Sequence, residues 1–221
     1  MLPGGSYTIL SADKRLEYVT SKFAENGNGS MTFPTGIEEG DVIFAFAAAS
    51  EQSTTAVYGT GFTSLGTQQE SYTVGKSTYR FRQCLSYKIA DGTESSSTIG
   101  GFLPNSINSR LGIAVYRPKN FSASSVSKSL TFDTDFEGPK TISAGIGRPT
   151  VPFVFTTSYT TFFGNIYANT TYTPTQDVLM LDTGNDRRSD LYVGPPSKNI
   201  SITETYSGTP NITSYGYFIV N

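Results

Sequence analysis

The chemistry open to this chain rests on 18 carboxylates, 16 Lys and Arg, and many Ser and Thr hydroxyls. Among 221 residues there is no histidine, no tryptophan and one cysteine. The commonest general base and metal ligand are therefore missing, and little thiol chemistry is open. A hydrolase would have to use two carboxylates across a cleft or a Ser–Lys pair. Glu38, Glu39 and Asp41 crowd one turn, and Lys88 and Glu94 follow an apolar run. Neither group has the spacing such a mechanism demands, so both are expected to be solvated turn charges. Asp133, Asp135 and Glu137 alternate and could converge on Ca²⁺ through oxygen ligands. An ordinary acidic loop is the simpler reading. Asp182-Thr183-Gly184-Asn185-Asp186 sets oxygens around a glycine, but the rest of a calcium loop is missing. Arg187-Arg188 next to it opposes a cation. No catalytic residue, metal or cofactor is expected.

Binding is better served. Tyr159, Phe162, Phe163, Tyr167 and Tyr172 crowd one Thr-rich segment. Such aromatics pack a core, fill a pocket in a neighbouring subunit or stack on sugar rings. All three readings stay open here. A glycan groove would pair aromatics with polar groups, as Asp186, Arg187, Asp190 and Tyr192 could. Leu2, Tyr7 and Ile9 make residues 1–12 a candidate contact arm or edge strand. The net charge of −2 and pI near 5.2 leave no electrostatic footprint for nucleic acid. Cys84, in the run Cys84-Leu85-Ser86-Tyr87, reads as a buried hydrophobe. Sequons at Asn28, Asn120, Asn169, Asn199 and Asn211 match the Ser/Thr-rich composition and are not expected to be glycosylated.

The elements that position these groups are strands. Val42 to Ala49 is an apolar run with Val, Ile and Phe, bounded by turns, and reads as a strand buried on both faces. Residues 77–90 and 110–116 read as two more central strands. The first of these calls for a bulge near Gln83, and the second is expected to stop at Arg117-Pro118. Gly59 to Gly75 reads as a loop-rich hairpin region. Shorter strands are expected at 6–10, 140–146, 153–158, 178–181, 189–193, 200–203 and 215–220, with Pro149 and Pro152 confining pairing before 153. Leu16, Val19 and Phe23 fit a helical stripe, yet Tyr18, Val19 and Thr20 suit a strand, so 14–24 is either. Asn26-Gly27-Asn28-Gly29 supplies turn signals. About ten to twelve strands with almost no helix predict a single antiparallel β-sandwich over 13–221, with an aromatic excursion at 159–172. No repeat of fixed period appears. No stretch reaches the length of a membrane span, and the N-terminus does not read as a signal peptide.

A Gly-Asp turn enters an apolar strand (Gly40-Asp41-Val42-Ile43-Phe44), followed by Gly61-Phe62-Thr63. Next come Tyr87-Lys88-Ile89-Ala90 with Glu94, and then Ala114-Val115-Tyr116-Arg117. This series resembles a jelly-roll-like β-sandwich found among structural proteins of tailed bacteriophages, over roughly residues 36–120. In that group the Gly-aromatic position is often Gly-Trp and the Tyr-Arg is usually followed by Gly; Phe62 and Pro118 stand there here. The resemblance implies fold and virion context and carries no catalytic residues.

The expectation is a non-enzymatic virion protein made in the host cytoplasm. It would be a homo-oligomer decorating the outer capsid surface by contact with the major capsid protein. A tail-fibre or receptor-binding module recognising host glycans is the alternative. No membrane or nucleic-acid partner is expected.

Overall fold

In a computed structural model, residues 13–24, 30–51, 58–74, 76–94, 97–102, 110–133, 140–142, 148–159, 171–173, 178–182, 187–194, 196–197, 200–203 and 211–221 are described. Every regular element among them is a strand. In chain order these are β1 Arg15–Ala24, β2 Met31–Thr32, β3 Val42–Glu51, β4 Thr63–Val74, β5 Ser77–Ile89, β6 Thr98–Ile99, β7 Arg110–Lys119, β8 Val126–Asp133 and β9 Lys140–Ile142. Then follow β10 Thr150–Tyr159, β11 Thr171–Thr173, β12 Val178–Asp182, β13 Arg187–Val193, β14 Ile200–Thr203 and β15 Asn211–Val220.

Two five-stranded antiparallel sheets form, ordered β1-β7-β3-β5-β4 and β12-β13-β10-β15-β8. They pack face to face as the expected sandwich. Phe44, Phe46, Leu85 and Tyr116 of the first sheet meet Val151, Phe153, Leu191 and Phe218 of the second in one buried core. The rings of Phe44 and Phe218 stack at 4.7 Å, and those of Phe153 and Phe218 at 4.3 Å. The jelly-roll connectivity expected with the sandwich is not seen among the described strands. Each sheet is drawn from one contiguous stretch of chain, whereas a jelly-roll interleaves strands between its sheets.

Each sheet is also covered on its outer side. Ile43, Ala45, Ala47, Cys84 and Ile113 of the first sheet pack beneath Met31, Ile99 and Phe102, on and beside the small β2–β6 pair. That cover explains why β3 has no polar face and why Cys84 is buried. On the second sheet, Ile142 of the β11-β14-β9 sheet packs with Val154, Tyr215 and Tyr217.

Several expectations change. The segment open between helix and strand is β1, and a bulge between Tyr18 and Thr20 explains its helical spacing. The extra residue lets Leu16 and Phe23 both join the main core while Val19 packs on the other side. No bulge occurs at Gln83, because β5 pairs with β3 in unbroken register from Ile89 to Arg80. The bulge opposite β5 lies in β4, between Ser64 and Gly66, and β4 replaces much of the expected loop region. Strand β7 runs through Pro118, which lies beyond the β3 ladder ending at Tyr116. Pro152 sits inside β10, where the β13 ladder begins only at Phe153. The expected strand at 6–10 and the turns at 26–29 lie outside the described residues.

Candidate functional site

The densest charge chemistry lies where β3, β5 and β7 end together. Gly40, at φ 89°, closes a turn in which Asp41 N donates to Glu38 O at 3.1 Å. The Asp41 side chain accepts from Glu38 N at 2.9 Å. Gly40 N donates to Ala90 O and Ala90 N to Asp41 O, which stitches this turn to the end of β5. Arg117, on the last turn-out of β7, closes the third side. Its Nε and Nη2 donate to the two Asp41 oxygens at 2.8 and 2.9 Å. Its Nη2 also donates to Gly36 O, and Nη1 lies 2.8 Å from Glu38 Oε1. Asp41 is 1% exposed, so this bidentate pair is the compensation that lets a carboxylate stay buried. The hydrogen bonds to Asp41 raise the Arg117 pKa further above its ordinary value, with the Asp41 and Glu38 charges adding to them.

A second buried carboxylate stands beside it. Glu94 is also 1% exposed and lies 2.6 Å from Lys88 Nζ. Its oxygens accept from the backbone N–H groups of Asp91 and Gly92 at 3.2 and 3.0 Å. Lys88 also reaches exposed Asp91 at 3.1 Å. Burial alone would lower the Lys88 pKa, but the hydrogen bonds and charges of Glu94 and Asp91 outweigh it and raise it. Asp91 is held well below the usual carboxylate range, chiefly by the Thr93 hydroxyl and then by Lys88. Glu94 and Asp41 are therefore not the solvated turn charges that sequence predicts. Arg117, far along the chain, covers Asp41, and Lys88, from the strand just before it, covers Glu94.

Beside the Asp41 turn is a cleft of about 220 Å³ between Glu38, Glu39, Arg117, Pro118, Phe121 and Ala123. Lys14 Nζ lies 5.6 Å above the Phe121 ring at this end of the molecule. Arg117 already spends its donors on Asp41, Glu38 and Gly36, so the arrangement binds strand ends and leaves no poised acid–base pair.

At the other end of the core stands Gln83, fully buried. Its Nε2 shares two N–H donors across the sandwich among Phe155 O, Thr157 Oγ1 and Ile212 O, each at 3.0 Å, and its Oε1 accepts from the Ser214 hydroxyl. Sequence gives no sign of these partners, which are far along the chain.

The described residues among those singled out for binding lie in two sheets. Tyr159 ends β10 opposite Arg187 of β13, while Tyr172 lies in β11, in a different sheet. Asp190 and Tyr192 follow Arg187 along β13, flanking buried Leu191. Leu2, Tyr7, Ile9, Phe162, Phe163, Tyr167 and Asp186 lie outside the described residues. So do Asp135 and Glu137; Asp133 is the last residue of β8, opposite Thr213. Among the described residues no group of three or more Cys, Asp or Glu could hold a metal ion. No protein family, no curated protein and no solved structure matches this chain.

Proposed function

We propose that this protein is a non-enzymatic structural protein of a tailed-phage virion, decorating the assembled capsid through contacts with the major capsid protein. The observation that supports a binding role is the use made of the two buried carboxylates. Asp41 and Glu94 are each spent on a cation and on backbone N–H groups, so the best candidates for acid–base chemistry hold loops instead. The strand-end motifs Gly40-Asp41, Lys88…Glu94 and Tyr116-Arg117, on which the resemblance to phage structural proteins rests, are the same residues. A ligand that binds only the assembled lattice raises its stability by mass action.

Electron cryo-microscopy of particles carrying the labelled protein tests this. Density on the outer capsid lattice is expected; density confined to the tail would replace this reading with glycan recognition, which a glycan array would then read out. Removing residues 1–12 is expected to abolish particle binding while the sandwich stays folded. Full occupancy by the truncated chain would count against an anchoring arm.

A further inference from the structure

The two sheets share one wiring diagram. In chain order the first sheet's strands are β1, β3, β4, β5 and β7, and they lie first-fifth-second-fourth-third across the sheet. The second sheet's strands are β8, β10, β12, β13 and β15, and they lie first-fifth-second-fourth-third as well. The outer covers agree too. The pair β2–β6 is formed by the segments after the first and fourth strands of its sheet, and so is the pair β9–β14.

Register and sequence follow the wiring. Phe46 lies between Leu85 and Gly112, and Gly112 is faced by Phe23. Phe155 lies between Leu191 and Ser214, and Ser214 is faced by Phe132. Thr32 opposes Thr98 in one cover, and Thr141 opposes Ser201 in the other. Residues 29–46 align on 138–155 without a gap, identical at Thr32/Thr141, Gly36/Gly145, Ile37/Ile146, Val42/Val151, Phe44/Phe153 and Phe46/Phe155. The same constant offset brings Phe23 onto Phe132. The expectation that no repeat of fixed period appears is thereby corrected, because these matches recur at one constant offset.

We infer that the chain is an internal duplication: residues 13–121 and 122–221 are two copies of one unit, and the inner face of each is an interaction surface built for a second copy of that unit. The packing is reciprocal, as in a two-fold dimer. Strand β5 packs on β10 and β15, and its counterpart β13 packs on β3 and β7. The equivalent rings of Phe46 and Phe155 meet each other at 5.8 Å, where an axis between the copies would pass. A two-fold also relates the link between the copies to the gap between the chain ends. The contacts agree: Asn120 Nδ2 donates to Asp13 O, and Ser124 N donates to Asn221 O, so one short linker touches the start of the first copy and the end of the second.

Three measurements on the whole chain test this. In a crystal structure, the rotation superposing β1, β3, β5 and β7 on β8, β10, β13 and β15 is expected near a half-turn; a rotation far from that overturns the two-fold. A chain carrying a protease site between Ser122 and Ser125, once cleaved, is expected to elute as one undissociated species. Separation of its halves without denaturant would overturn the self-sufficient interface. A circular permutant beginning at Ser122 and ending at Phe121, with Asn221 joined to Met1, is expected to melt within about 5 °C of the parent. Failure of the permutant to fold would overturn the symmetric closure.

Discussion

The two halves of the sandwich close the same strand end in different ways. In the first, Asp41 and Arg117 lie at the mouths of β3 and β7 as a bidentate ion pair whose carboxylate is buried. At the corresponding places of the second half stand Thr150 and Ile219, opposite each other in the β10–β15 ladder. Thr150 is buried, and its hydroxyl has no hydrogen-bond partner among the described residues. There the backbone does the closing, with Ser197 N donating to Thr150 O and Val220 N to Pro149 O. The shared fold therefore does not require the ion pair. What the pair adds is a fixed geometry for the Glu38–Asp41 turn, at the rim of the cleft.

The largest expected effect separates the halves by a single methyl group. Gly216 has φ 148°, and a Cβ there would lie 2.0 Å from Ser129 O, whereas its counterpart Ala114 is accommodated in β7. Gly216→Ala is expected to cost about 4 kcal/mol or more, or to prevent folding. Ala114→Gly should cost only about 1 kcal/mol in urea titrations. Equal costs would break the comparison.

Next comes the clamp. Asp41→Asn removes the charge facing a guanidinium that is 25% exposed and retains Glu38, so the expected loss is about 2–3 kcal/mol. The double change Asp41→Thr with Arg117→Ile installs the second half's solution and is expected to recover to within about 1 kcal/mol of the parent. Failure of the double variant to improve on Asp41→Asn would mean that the two ends are not interchangeable.

Gln83 offers a third contrast, since its register counterpart in β13 is Ser189. Gln83→Ser should cost about 1–3 kcal/mol, because the acceptors Phe155 O and Ile212 O lose a buried donor. An unchanged urea midpoint would show that water replaces the amide.

The smallest effect is in pH. Lys88 is raised above its ordinary 10.5, so it binds its proton more tightly folded than unfolded. Its stabilisation is complete below about that pH and is lost as pH rises through the folded value. Asp91 is lowered from 3.8, so its contribution is present above that pH and lost on acidification. Denaturant midpoints should therefore sag at both extremes, and Lys88→Met should flatten the alkaline limb. A limb left intact in Lys88→Met would assign it elsewhere.

Much of this could be read in residues. The apolar run at Val42–Ala49 marked a strand covered on both faces, and the Gly-Asp dipeptide marked the start of β3. Leu16, Val19 and Phe23 could not be resolved, because a bulge in a strand imitates helical spacing. Asp41 and Glu94 were misjudged because a carboxylate's burial depends on a cation it meets only after folding. Arg117 lies far along the chain from Asp41, and no local pattern names it.

Sequence by itself determined that the protein is built from strands, that Cys84 and the paired phenylalanines are interior, and that histidine chemistry is closed to it. Those follow from side-chain type and local alternation, which each residue carries with it. The tertiary structure alone decided which strands are neighbours and which carboxylates are buried. It also decided that the two sheets repeat one strand order, because strand order and charge pairing are relations between residues far apart in the chain.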